Sequence, residues 1–227
     1  MFSVTHRYEI ARAAKMVEAA YLLFKRRPPR TSLDASVKDK LNKNHVQAVF
    51  LKQNILLIPG SNSVADYMKF NLRVLNFGGK KYRLNDELTD KWGAHDVIWH
   101  QGFMRHAKVI ADWMQQKRYR PKYIVGHSLG AAATQILVRT HNVPGIAFAA
   151  PRVTRGVVQP APASKCLCLN RNDDKVCDLP SSFQHLGEVH AGEGQRRFLR
   201  FDHQMDRYQE MVTAQQLAGH LGTHWPA

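Results

Sequence analysis

The stretch Gly126-His127-Ser128-Leu129-Gly130 constrains the chain more than any other. Before it, residues 122–125 (Lys-Tyr-Ile-Val) have the make-up of a short buried strand. After it, residues 131–138 (Ala-Ala-Ala-Thr-Gln-Ile-Leu-Val) read as a helix with small residues on its first turn. A strand that passes into a helix through G-x-S-x-G turns a sharp corner with the serine at its apex. The flanking glycines relieve crowding where the corner brings strand and helix together. The helix start aims unpaired N–H groups at the same point, where charge developing on an oxygen is stabilised. The competing reading of these five residues is a glycine-rich turn that binds a phosphate, or nothing.

The rest of the chain supplies matching elements. Ile10, Ala13, Ala14, Val17, Tyr21 and Phe24 recur at helical spacing, so the N-terminal segment reads as an amphipathic helix ended by Pro28-Pro29. Residues 38–44 read as a polar connection. Residues 46–51 and 55–58 read as two strands around a tight turn, the second running into Pro59-Gly60-Ser61 and then an amphipathic helix through residues 64–74. Residues 96–99 form a further short strand, followed by a helix whose apolar side is Met104, Ala107, Val109, Ile110 and Trp113. Strands follow at 145–149 and 165–169. Strands alternating with helices predict an α/β protein: a mostly parallel central sheet with helices on both faces, in one compact domain.

Composition narrows the function classes. Cys166, Cys168 and Cys177 fit no metal spacing, and three is the wrong number for a closed disulfide framework. Cys166 and Cys168 share one face of a strand, where buried thiols are expected, and a reducing compartment is favoured. Nothing in the sequence calls for a cofactor or a metal. No secretory signal and no apolar run of about 18 residues is present, so a cytoplasmic location is expected. The net charge of +15 is spread over Lys25, Arg26, Arg27, Arg30, Lys80, Lys81, Arg83, Lys117, Arg118, Arg120, Lys122, Arg196, Arg197 and Arg200. Such charge reads first as a solvated basic surface, next as attraction to an anionic membrane, and last as nucleic-acid binding. No zinc-finger spacing, RNA-binding aromatic motif or helix-turn-helix supports the last.

Five blocks in order resemble the fungal-type (class 3) lipase family of the α/β-hydrolase fold, over residues 46 to 215. Pro59-Gly60-Ser61 with the following helix resembles the family's oxyanion loop and lid. His100-Gln101-Gly102-Phe103 is similar to its H-x-G-F block, and Gly126 to Gly130 to its nucleophile elbow. Ala150-Pro151-Arg152-Val153 resembles its P-R-V segment. Asp174-Lys175-Val176-Cys177-Asp178-Leu179-Pro180 resembles its D-x-V-P-x-L-P block, with cysteine in place of the first proline. The resemblance implies an N-terminal helix over residues 1–30 packed on an α/β-hydrolase domain over residues 31–227. It also implies a hydrolase of lipid or small acyl esters, of lipase, phospholipase or carboxylesterase type.

A serine hydroxyl attacks only when an imidazole takes its proton and an acid orients that imidazole. Ser128 is the expected nucleophile. Asp174 fits the family's acid block, with Asp173 and Asp178 as fallbacks. His203, in His203-Gln204-Met205-Asp206-Arg207-Tyr208, resembles the family's histidine and follows a strand-like stretch at 197–201; His185 is the second choice. The backbone N–H groups of Ser61 and Leu129 are the expected oxyanion donors. His100 and His127 read as structural, and His220 and His224 as surface residues. The alternatives to an enzyme are a degenerate relative that binds lipid or a protein partner, and a nucleic-acid-binding domain.

Overall fold

The computed structural model describes residues 8–60, 98–155, 165–193 and 203–226. Its core follows from strands that are apolar at nearly every position, as a sheet covered on both faces requires. Five such strands, with a more polar strand at each edge, form the central sheet: β2 (Val37–Lys43, one edge), β3 (Val46–Leu51), β4 (Ile55–Ile58), β6 (Tyr123–His127), β7 (Gly145–Phe148), β9 (Cys166–Arg171) and β10 (Glu188–Gly192, the other edge). Two-stranded ribbons pair β1 (Tyr8–Glu9) with β11 (His224–Trp225) and β5 (Ile98–Trp99) with β8 (Thr154–Arg155). The spatial order of the large sheet is β10-β9-β7-β6-β4-β3-β2. The strands from β10 to β4 run parallel, and β3 and β2 extend the sheet antiparallel at one edge.

Successive strand residues point to opposite faces and so divide the core in two. Leu56, Ile58, Ile124, Ala147, Cys166 and Cys168 face one helical layer, α2 (Gln101–Gln116) and α3 (Leu129–His141). Ile55, Leu57, Val125, Ile146, Phe148, Leu167 and Leu169 face the other, α1 (Ile10–Leu22) and α4 (Met205–Leu217). The three-layer α/β/α arrangement is thus the expected one. All three cysteines are buried as packing residues of these layers, and none is in a disulfide.

Residues 38–44 are not a connection. Seven residues from Val37 form strand β2, closed onto β3 by a two-residue turn in which Asn44 and His45 both have positive φ (51° and 63°). That is the backbone a tight hairpin needs, and asparagine tolerates it well. Only Leu41 of β2 is buried. The polar remainder suits an edge strand, where lysines discourage further pairing. Lys38 still contributes packing, with its Nζ 4.8 Å from the centre of the Tyr119 ring. The first helix stops at Leu22, before Pro28, its end tightened by Leu23 N–H on Ala20 O and Phe24 N–H on Tyr21 O. Strand β5 falls within the expected strand at 96–99, whereas β10, β8 and the β1–β11 ribbon escape the sequence reading: β10 is largely exposed, and each ribbon strand is two residues long. Among the described residues no helix is long and apolar enough to cross a membrane.

Candidate active site

At the end of β6 the chain turns from His127 into α3 through Ser128, whose φ of 58° and ψ of −120° lie outside the regions favoured by ordinary residues. The corner is held by close packing on both sides. A Cβ at Gly126 would run into Thr134 Oγ1 and the Gly130 carbonyl, and one at Gly130 into the Ile58 carbonyl. Ser128 N–H donates to Phe148 O across to β7 (2.9 Å), and Ser128 O accepts from Ala132 N–H (3.1 Å). The strained serine is thereby fixed by its neighbours rather than by its own preferences. Leu129 opens the helix, so its N–H has no carbonyl within the helix to pair with.

Ser128, His203 and Asp174 come together although 75 and 29 residues separate successive members. Ser128 Oγ lies 2.6 Å from His203 Nε2, and His203 Nδ1 lies 2.6 Å from Asp174 Oδ2. The ionised carboxylate only accepts, so His203 carries its proton on Nδ1 and its Nε2 accepts from the serine hydroxyl. Asp174 is fixed by two further donors, Tyr208 O–H on Oδ2 (2.7 Å) and Val176 N–H on Oδ1 (3.0 Å). The second of these caps the short helical turn Lys175–Asp178. Cys177, in place of the family's proline, sets its Sγ 3.3 Å from the Tyr208 oxygen. Burial and the adjacent Asp174 push that thiol up, and burial likewise raises the Tyr208 phenol, so both stay protonated.

The fallback residues are occupied elsewhere. Asp173 accepts the fork of the buried Arg171 guanidinium (2.7 and 3.0 Å), and Asp178 lies on the surface, 3.5 Å from Arg152. His185 Nε2 sits 2.8 Å from Ala150 O and 3.1 Å from Asn170 Nδ2, holding the loop after β7 to β9. His100 caps α2 by accepting from Phe103 N–H (3.3 Å). His220 and His224 are exposed and do not share a helix. His127 is buried, with its ring centre 5.0 Å from that of His203, and burial drives its imidazole well below the usual range. Ser61, residues 64–74 and the stretch 197–201 lie outside the described residues.

Sequence reasoning misses two tyrosines. Tyr208 stands five places after His203 in the quoted block but received no role. Tyr21 sits on the apolar face of α1, where helical spacing marks it as core; its hydroxyl reaches His127 Nδ1 at 2.6 Å. Neither spacing nor composition distinguishes such a phenol from one that only packs.

No protein-family model and no curated protein matches the sequence. Solved structures do match. Lip2 lipase from Yarrowia lipolytica is 15% identical, with a TM-score of 0.56 over 83% of this chain and 83% of that one. A triacylglycerol lipase from Penicillium expansum is 18% identical, with a TM-score of 0.52 over 81% and 78%. A triacylglycerol lipase described as having a serine protease triad at its catalytic centre is 15% identical, with a TM-score of 0.53 over 82% and 83%. At these identities the likeness is one of architecture, and the chain has the α/β-hydrolase fold of the fungal lipases.

Proposed function

We propose that the chain is a serine ester hydrolase that cleaves lipid or small acyl esters through an acyl-enzyme. The observation that carries this reading is the hydrogen-bonded series Ser128–His203–Asp174 at the apex of a strained elbow. In the first step His203 Nε2 takes the Ser128 proton as Oγ attacks the ester carbonyl. The imidazolium formed is stabilised by Asp174, which stays ionised and is steadied by Tyr208 and Val176. His203 then gives its proton to the leaving alkoxide. Water attacks the acyl-enzyme in a second round, with the same imidazole as base and then acid.

The carbonyl oxygen gains negative charge in both rounds. The N–H of Leu129, at the start of α3, is one donor for it. The second donor is assigned to Ser61, which follows Gly60 directly in the chain. A degenerate, binding-only relative would have no use for two 2.6 Å bonds that order a serine, an imidazole and a carboxylate in series. The family resemblance and the architecture shared with triacylglycerol lipases favour a lipid ester as substrate. The +15 charge adds attraction to an anionic interface.

A fluorophosphonate probe tests the reading, because it bonds only to an activated serine. One label per chain on the wild type, none on Ser128→Ala, and ester turnover reduced on the order of 10⁶-fold in that variant are the expected results. Labelling that survives Ser128→Ala, or a wild type that neither labels nor turns over any ester, would overturn it.

A further inference from the structure

The Tyr21 hydroxyl ties the N-terminal helix to two parts of the site at once. Its oxygen is 2.6 Å from Gly60 N and 2.6 Å from His127 Nδ1. The amide can only donate, so the phenol accepts from Gly60 N–H. The one phenolic proton is left for His127 Nδ1. Burial holds the phenol well above its ordinary range, so that proton stays on oxygen. His127 is therefore a neutral imidazole with its own proton on Nε2, and burial pushes its basicity the same way.

Gly60 is no distant partner. A Cβ placed there would stand 2.6 Å from the Tyr21 oxygen, 3.0 Å from His127 O and 3.0 Å from the Ser128 Cβ. The chain leaving β4 thus passes against the nucleophile itself, and the Tyr21 hydroxyl is wedged between that chain and the residue preceding the nucleophile. We infer that Tyr21 is a positioning residue: its hydroxyl sets the separation of the β4 exit and the elbow at Ser128, and holds His127 neutral beside His203. The inference rests on the hydrolase reading. Tyr21 touches neither Ser128 Oγ nor the His203–Asp174 pair, so it acts through Gly60 and His127. Without the hydroxyl, Gly60 N–H loses its acceptor and the contact with Ser128 is no longer clamped. His127 Nδ1 also loses its donor and can take a proton, which would place a cation 5.0 Å from the ring that must itself become cationic.

Tyr21→Phe keeps the ring and deletes only the hydroxyl. For a small soluble ester, kcat should fall about 10–100-fold while KM stays within about twofold, as for a catalytic group shifted by a fraction of an ångström. Activity should be lost preferentially on the acid side of the pH profile. The fluorophosphonate should still reach one label per chain, only more slowly; a variant that was merely less folded would instead lose labelling endpoint. Wild-type kcat, labelling rate and pH profile in Tyr21→Phe would overturn the inference. Should the variant not fold, ¹⁵N spectra of the wild-type imidazoles decide: His127 protonated on Nε2 alone supports the inference, and His127 protonated on Nδ1 overturns it. Failure of the hydrolase reading has a different signature, a wild type that takes no label at all, and it would remove this role along with the reading.

Discussion

His106 and His127 are both buried, and among the described residues neither Nε2 has a hydrogen-bond partner. Burial alone pushes His106 from its ordinary 6.5 down to about 4; burial, helped by the neighbouring His203, drives His127 well below 6.5. Both imidazoles are released to water on unfolding and then bind protons near pH 6.5. Between 6.5 and 4 the unfolded chain holds more protons than the folded one, so stability must fall with pH. The contribution is complete above pH 6.5 and is lost as pH drops toward the folded value. At about pH 5 the linkage relation gives a loss of about 2 kcal/mol for His106. His127, shifted in the same direction, adds a loss of the same sign. The His106 contribution alone is a sizeable share of the 5–15 kcal/mol typical of a domain. Urea unfolding followed by tryptophan fluorescence reads this directly: with a slope of about 2 kcal/mol per molar, His106 alone should lower the midpoint by about 1 M between roughly pH 7.5 and pH 5. His106→Gln should cut the pH-dependent loss by about 2 kcal/mol. An equal pH dependence in wild type and His106→Gln would show that His106 protonates in the folded state without cost, and the burial argument would fall.

Two further outcomes follow from the site and the charge. Asp174→Asn should lower kcat on the order of 10⁴-fold by misdirecting the His203 tautomer. Tyr208→Phe removes one of three donors to the same carboxylate and should cost only about tenfold; steady-state kinetics on a soluble ester would refute the hierarchy if the two losses were equal. On lipid vesicles, turnover should rise with the fraction of anionic lipid and fall with salt, since surface charges are screened beyond about 8–10 Å at physiological ionic strength. A soluble ester should respond to neither, and vesicle rates indifferent to both would leave the basic surface as mere solvation.

The sequence reading reaches furthest where one residue's type decides its place. The apolar runs at β4, β6, β7 and β9 read as buried strands, and G-x-S-x-G between strand and helix as a corner, and the structure has them so. His203 and Asp174 were legible through their blocks, and the structure brings both to Ser128. What stayed hidden depends on partners far away in the chain. Strand β2 looks polar because its stability comes from pairing with β3 and from lysines lying over aromatic rings. Tyr21 looks like core because its ring is core; only the hydroxyl at its tip, with partners 39 and 106 residues away, belongs to the site.

The two helical layers divide the labour unequally. The face carrying α2 and α3 contributes mostly apolar mass, plus the elbow helix itself. The face carrying α1 and α4 supplies both phenols that reach the site: Tyr21 from the last turn of α1, and Tyr208 from the first turns of α4. These helices pack together, and Gln209 Nε2 donates to Glu18 Oε2 across them at 2.6 Å. One phenol donates to Asp174, while the other donates to the His127 imidazole next to Ser128. In the proposed reaction each proton is directed at a group that must keep its charge while His203 becomes a cation: Asp174 negative, His127 neutral. A serine, an imidazole and a carboxylate suffice to define the chemistry. In the proposed reaction the α1–α4 pair would let a positive charge form at His203, with its counter-ion on one side and no second cation on the other.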